Sequence, residues 1–406
     1  MSIDIIDLLE TMAANGVAPA AGCSLFGVGY EDTFIRLKRT FLDGRLAKRG
    51  KSAQKFVVGP FGSGKTHFLR QFMEISRDAE FITSEVTLDN DIDYANRLTI
   101  YREVVRNLQL PENSDHGVKN LLENAALRVR SRFPDPKAAE AVFQGWVRGI
   151  DKIDINLDVF ARVLQKAVRS LDEEDEMAFD AACRWLSGNF DDKNLAREVG
   201  EPVVSKSEMN LFTGRAMLSL FQFIRYCGFN GTVICYDEAD IGFQVNKKKM
   251  QTILGMLRAD IGAVNDLERG SVFIVYALTP DVVQQMSQYM ALQQRITTPP
   301  GQGFFDGNDY AALIDLSLTP DRFEELRAIG IRLIDLLYQE QGSSISPSKD
   351  EVCKQVEKIA QDVCEEDITS SSRREMVKRT SALLLSIVNN GLSAAQSEAA
   401  AIEDEV

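Results

Sequence analysis

The chain has 406 residues, 45% hydrophobic and 26% charged, which is enough for an ordinary core and suits two domains. With 46 basic and 60 acidic residues the net charge is −14, so nucleic acid is repelled at long range and any contact with it must come from a local basic patch. No apolar run reaches the length of a membrane span, which excludes a transmembrane helix, and no membrane partner is expected.

The N-terminus, MSIDIIDLLETMAANG, carries acids where a secretion signal needs basic residues, so a soluble, cytoplasmic protein is expected. Residues 1 to 22 read as a short helix and a loop, and 27 to 50 as a turn and a helix whose apolar positions are Phe34, Leu37, Phe41 and Leu42. KFVVG (55 to 59) is a short buried-type strand, followed by the helix KTHFLRQFMEIS. EFITSEVTL (80 to 88) gives a second strand and RLTIYREVVRNL (97 to 108) an amphipathic helix. From about 112 to 210 the strand signals vanish and charged helical segments take over, as in an all-helical insertion. Strands resume at GTVICYDEAD (231 to 240), GSVFIVYALTP (270 to 280) and, more weakly, AALIDLSLTP (311 to 320). Helices follow at 321 to 341, 348 to 365 and 372 to 390, before a small-residue acidic tail expected to lack structure.

The pattern predicts an α/β fold with a parallel sheet flanked by helices, a helical insertion and a C-terminal helical lid. The expected segments are 1–111 and 211–320 for the core, 112–210 for the insertion, 321–392 for the lid and 393–406 for the tail. The six cysteines (Cys23, Cys183, Cys227, Cys235, Cys353, Cys364) show no metal spacing and read as buried thiols. His67 and His116 are too few for a histidine-based metal site.

Within VVGPFGSGKTHFLRQF, Gly59, Gly64, Lys65 and Thr66 complete G-x-x-x-x-G-K-T between a strand and a helix. Glycines let the backbone curl so that successive N–H groups face a phosphate, and Gly62 adds freedom. Lys65 would reach the β- and γ-phosphates of ATP, Thr66 would ligate Mg²⁺, and the helix start would face the anion. The candidate nucleotide-binding run is Gly59, Pro60, Phe61, Gly62, Ser63, Gly64, Lys65, Thr66 and His67.

In P-loop enzymes the strand beside the loop ends in an acid, and ICYDEAD supplies Asp237 and Glu238. Asp237 would hold Mg²⁺ through water and Glu238 would polarise the attacking water as general base. The alternative is an exposed strand end and a helix cap. Thr279, tipping a strand between loop and carboxylates, either senses the γ-phosphate or, with Pro280, caps the next helix. Arg295 either projects toward a neighbouring subunit's nucleotide or lies on the surface. Arg373 and Arg374 open a lid helix, where a cation opposes the macrodipole and so favours an anionic partner. Arg36, Lys38, Arg39, Arg45, Lys48, Arg49, Lys51 and Lys55 form a basic stretch that reads either as a solvated face or as a DNA-backbone contact; Lys247, Lys248 and Lys249 follow the carboxylate strand.

Taken together, these residues resemble the AAA+ ATPases. More narrowly, FGVGYEDTF, LTIYREVVRNL, GFNGTVICYDEAD, FIVYALTPDV, YAALIDLSLT and SRREMVK make the chain similar to the ATP-binding proteins of BREX bacteriophage-defence systems, the BrxC/BrxD-type P-loop family. The resemblance implies an ATPase using ATP and Mg²⁺ beside helicases, methyltransferases or other defence proteins on DNA, and kinship with origin-recognition and loader proteins. It implies roles for Lys65, Thr66, Asp237 and Glu238, then for Thr279, Arg295 and Arg374, and it sets Gly29 and Tyr30 near the adenine. Partners would be further copies of the chain or a defence protein such as a helicase. A nucleotide-gated scaffold with little turnover is the competing expectation. No C-terminal winged helix is evident, which argues against autonomous sequence-specific DNA binding.

Overall fold

Two central strands have no polar face, and that organises the sheet. The computed structural model describes residues 3–88, 92–111, 115–240, 247–289, 293, 296, 301–317, 321–341, 347–366 and 372–403. Its five strands are β1 (Ala53–Val58), β2 (Phe81–Thr87), β3 (Gly231–Asp237), β4 (Val272–Leu278) and β5 (Leu313–Asp315). They form one parallel sheet in the order β2-β3-β4-β1-β5. Every residue of β3 and β4 is buried, as expected for interior strands covered on both faces. β5 is three residues long, which explains its weak sequence signal. β4 lies between β1 and β3, as expected for the threonine-tipped strand. The acid-bearing strand is therefore one removed from the loop's strand rather than beside it.

The helices are α1 (Ile5–Asn15), α2 (Cys23–Phe26), α3 (Glu31–Arg36), α4 (Lys65–Asp78), α5 (Arg97–Arg106), α6 (Gly117–Arg130), α7 (Pro136–Gly149) and α8 (Asp158–Asp172). They continue with α9 (Glu176–Leu186), α10 (Lys193–Val199), α11 (Met209–Tyr226), α12 (Lys247–Asn265), α13 (Pro280–Ser287), α14 (Arg322–Gln341), α15 (Lys349–Glu366) and α16 (Ser372–Glu403). Several start where an acidic or amide side chain caps the first turn: Asp4, Asn96, Asp135, Asp175 and Asp192 each accept from backbone N–H groups. Leu37–Ala47 is a π-helix. Its buried residues, Leu37, Phe41, Leu42 and Leu46, recur every four to five positions, a spacing that suits the wider turn and that sequence reading takes for an α-helix.

The chain divides into two compact units. Unit 1 comprises Met1–Phe34, Val57–Glu74 and Asp315–Val406. Here α1 packs with α14, α15 and α16: Leu8, Leu9 and Met12 share a core with Leu333, Leu337, Val356 and Leu384. α16 is helical through Glu403, where the acidic tail was expected to lack structure; its alanine-rich run favours helix. Unit 2 comprises Ile35–Phe56 and Ile75–Ile314. Its helical stretch shares one core with the sheet side, in which Ile82 of β2, Tyr101 of α5, Phe160, Trp185 and Phe223 are buried together. Four of the six cysteines are buried, and none forms a disulfide. Among the described residues no helix is long and apolar enough to cross a membrane.

Candidate nucleotide site

The phosphate loop lies in unit 1, between the end of β1 and the start of α4. Gly62 and Gly64 have φ of 78° and 86°, the left-handed region that a side chain resists, so these positions need glycine. Gly59 is required for space, since a Cβ there would stand 2.3 Å from Ser63 Oγ. Lys65 is buried, and its Nζ donates to the carbonyls of Gly59 (2.8 Å) and Pro60 (3.0 Å). The exposed Phe61 ring lies 5.3 Å from the same ammonium. Ser63 Oγ is buried without a hydrogen-bond partner. A cradle with an ammonium, hydroxyls and a helix start fits a polyphosphate, and Thr66 offers the hard oxygen that Mg²⁺ takes.

Residues from three chain segments of unit 1 surround the loop. Arg373, at the start of α16, donates to the carbonyl of Ser63 and to that of Leu316 (3.3 Å). Glu325 of α14 holds the same guanidinium at 2.9 Å from Nε and 2.6 Å from Nη2. The guanidinium carbon is 5.6 Å from the centre of the Tyr30 ring. Tyr30 meets Phe68 of α4 edge-on at 5.5 Å, and burial pushes its phenol up to about 12. Gly29, with φ 87°, gives its N–H to Glu31 (3.0 Å). Of the two arginines at the start of α16, Arg373 reaches the loop, whereas Arg374 packs at Gly16, where an added Cβ would meet its Cγ at 2.7 Å.

His67 follows the loop on α4. Its ring contacts Phe26 at 4.7 Å, and burial lowers its pKa to about 4, against the pull of Glu74. Glu74, one helical stretch further on, accepts from the N–H groups of Gly22 (2.7 Å), Cys23 (3.0 Å) and Ser24 (2.7 Å), fixing the start of α2. Glu74 and Glu325 are positioning residues that sequence reading missed. Their partners lie about fifty positions away, with no local motif to betray them.

In unit 2, Asp237 ends β3, and its carboxylate is buried. Its carbonyl accepts from Leu88 N (2.9 Å) and its Oδ1 from Glu238 N (2.9 Å). Glu238 is exposed and has φ 50°, a conformation rare for a side-chain-bearing residue. Thr279 follows β4 and is buried; it occupies the cap position of α13 without a side-chain cap bond. Asp237 and Thr279 thus come at the carboxyl ends of neighbouring parallel strands, where open α/β sheets bind ligands. Arg295 lies outside the described residues.

The basic stretch is largely engaged within unit 2. Arg36 donates to Phe304 O (2.5 Å), Lys38 pairs with Asp43 (2.9 Å), Arg45 donates to Ser52 O (2.7 Å) and Arg49 to Gly44 O (3.0 Å). Lys55, counted with that stretch, is instead 1% exposed and cannot meet DNA. It sits in β1, whose two faces are both covered. Lys249 pairs with Asp93 at 3.2 Å.

Comparison with curated proteins and with solved structures returns no match. A protein-family model, described as the BREX system ATP-binding protein BrxC/D, matches residues 2–398. With a phosphate loop, a carboxylate-ended interior strand and nearly full-length agreement with that model, the chain belongs to the BrxC/D family of BREX system ATP-binding proteins.

Proposed function

We propose that the protein is an AAA+ ATPase that binds ATP with Mg²⁺ and hydrolyses it to drive assembly or remodelling of an anti-phage defence complex acting on DNA. Membership of the family gives it an ATP-binding role in a BREX defence system. The observation that carries the enzymatic reading is the phosphate loop, whose two left-handed glycines and buried lysine are built for a triphosphate. Lys65 would leave the Gly59 and Pro60 carbonyls for the β- and γ-phosphates, and Thr66 would offer Mg²⁺ an oxygen; a metal role for Asp237 rests on its place in the sequence. Bound Mg²⁺ supplies charge neutralisation for the phosphates. Glu238 would take a proton from the attacking water, a role that rests on its place directly after Asp237 and is compatible with its exposure. Thr279, which makes no cap bond, is available to orient the water or sense the γ-phosphate. Arg373 rather than Arg374 answers the phosphates from the C-terminal helices. A trans role for Arg295 rests on its place in the sequence, as does self-association. Helices 112–210 and 321–392 act as insertion and lid.

The test is ATP turnover by the purified chain over a range of protein concentrations, with and without DNA. Specific activity should rise with concentration if a neighbour completes the site. Glu238→Gln should retain ATP and lose turnover. Tight ATP binding without turnover in the unaltered chain would assign a scaffold instead. No uptake of ATP or ADP with Mg²⁺ would remove the nucleotide reading altogether.

A further inference from the structure

A cavity of about 350 Å³ lies wholly within unit 2, against β3 and β4 and bordered by α5, α11 and α12. This is the size range of small-molecule sites. Its walls are mostly aliphatic and aromatic, and four of its polar side chains, those of Arg97, Asp260, Tyr94 and Tyr276, form one connected set. Arg97 Nη2 lies 2.5 Å from Asp260 Oδ1, each side chain 26% exposed. Tyr94 hydrogen-bonds to Asp260, and its hydroxyl lies 3.2 Å from that of Tyr276. The ion pair has been given room: a Cβ on Gly214, in the middle of α11, would stand 2.6 Å from Arg97 Nη1. Beside it on the cavity lining, Thr213 is 1% exposed and its Oγ1 has no hydrogen-bond partner. A buried hydroxyl left unpaired is a deficit that a ligand would remove.

We propose that this cavity binds a neutral, largely apolar small molecule carrying a hydrogen-bond donor next to an acceptor, the chemistry of an aromatic carboxamide or lactam. Arg97 and Asp260 cancel each other, and Arg215, which also lines the cavity, is exposed and donates to the carbonyl of Asn156, so an ionic ligand in the buried part would bring a charge that the apolar wall does not compensate. A donor and acceptor side by side match Asp260 and Arg97 side by side, and the same group can reach the unpaired Thr213 hydroxyl. Tyr236 also lines the cavity and directly precedes Asp237, so an occupant would pack one residue from the β3 acid.

Saturation-transfer NMR on the full chain, without nucleotide, tests this with four probes of one size: benzamide, benzoate, benzamidine and toluene. Benzamide should bind with a Kd on the order of millimolar, and the two ions at least about tenfold more weakly. Ala263→Phe, which fills the cavity, should abolish benzamide binding with its melting transition intact. Thr213→Val, of the same shape, should weaken benzamide about three- to tenfold and leave toluene unchanged. If Ala263→Phe does not fold, Gly214→Ala carries the test, since displacing the guanidinium should also cost benzamide about tenfold. Benzoate, benzamidine or toluene binding as well as benzamide would overturn the proposal. So would benzamide binding that survives in folded Ala263→Phe, or no benzamide binding at about 20 mM. None of these readouts depends on ATP turnover, so the result stands apart from the fate of the ATPase reading.

Discussion

Arg373 donates from one guanidinium both to the carboxylate of Glu325, at 2.9 Å from Nε, and to the carbonyl of Ser63 inside the phosphate loop. Both charged side chains are largely shielded, 14% and 7% exposed. A carboxylate thus aims an arginine at the loop, and the loop's own lysine is turned onto the Gly59 and Pro60 carbonyls. In this arrangement two cations are held on backbone oxygens that a triphosphate would outcompete, because an anionic acceptor makes the stronger hydrogen bond.

Arg373→Ala should therefore act on stability and on nucleotide together. It leaves Glu325 buried without its partner, which costs about 3 kcal/mol, and the double variant with Glu325→Ala should recover part of that loss. ATP affinity should fall about tenfold, the worth of one charge-assisted hydrogen bond. Arg374→Ala should change neither by more than about 0.5 kcal/mol. Fluorescent-nucleotide titration and urea denaturation of the four proteins decide it. Equal effects of the two single variants would remove the distinction between the arginines.

Lys65→Met should separate folding from function. The change gives up two hydrogen bonds to carbonyls and costs about 1–2 kcal/mol, but it removes the cation for the phosphates. The unaltered protein should gain about 2.7 kcal/mol of stability at an ATP concentration of a hundred times Kd, and the variant close to none. Thermal melts with and without ATP and Mg²⁺ measure this. A nucleotide-induced shift that persists in the variant would mean that the loop is not the binding site.

Glu238 sits at φ 50°, and that suggests a trade between stability and turnover. Glu238→Gly should relieve the backbone and raise stability by about 0.5–1 kcal/mol while abolishing hydrolysis. Glu238→Gln keeps the strain and should lose hydrolysis with no gain in stability. Denaturation midpoints and phosphate-release rates of both variants provide the check; a destabilised Glu238→Gly would show that the conformation carries no strain.

How far the sequence reveals all this depends on the kind of signal. The phosphate loop is legible because its chemistry forces glycine, lysine and threonine into fixed spacing. β3 and β4 are legible because strands buried on both faces need unbroken apolar runs. The Arg373–Glu325 pair is not, because two adjacent arginines look alike in sequence and their partner lies 48 residues away. The π-helix from Leu37 to Ala47 hides for another reason: apolar positions four and five apart occur on an α-helix too. Lys55 stands at the end of a basic run and reads as surface, yet β1 turns it into the interior. Charge in sequence gives composition, whereas pleat and sheet order give direction.

His67 should make the protein acid-sensitive. Burial lowers its pKa to about 4, against an unfolded value of about 6.5. The folded chain therefore binds fewer protons than the unfolded chain between those values, and stability falls as pH drops through that window. At about 1.4 kcal/mol per unit over about 2.5 units the loss reaches about 3.5 kcal/mol at most, to order of magnitude. His67→Phe keeps a ring against Phe26 and removes the titration. Urea unfolding of both proteins at about pH 7, 5.5 and 4 should show the unaltered protein losing ground to the variant. Parallel profiles would show that the imidazole titrates normally in the fold.

Lys55 predicts the opposite end of the pH range. Its ammonium donates to the carbonyls of Asp309 (2.7 Å) and Ala311 and lies 4.5 Å from the centre of the Phe41 ring. Burial lowers its pKa to about 7; the Asp309 carboxylate opposes this, while Arg36 and Arg45 add to it. Unfolded, the group would titrate near 10.4. Below about pH 7 both states hold the proton and Lys55 contributes no pH dependence. Between about 7 and 10 the unfolded chain holds more protons, so stability rises with pH, by up to about 1.4 kcal/mol per unit. Relative to Lys55→Met, the unaltered protein should therefore gain a few kcal/mol from pH 7 to pH 9 (to order of magnitude) in urea denaturation. A constant difference between the two across that range would mean that the buried ammonium keeps its ordinary pKa, with the two carbonyls and the Phe41 face compensating its burial in full.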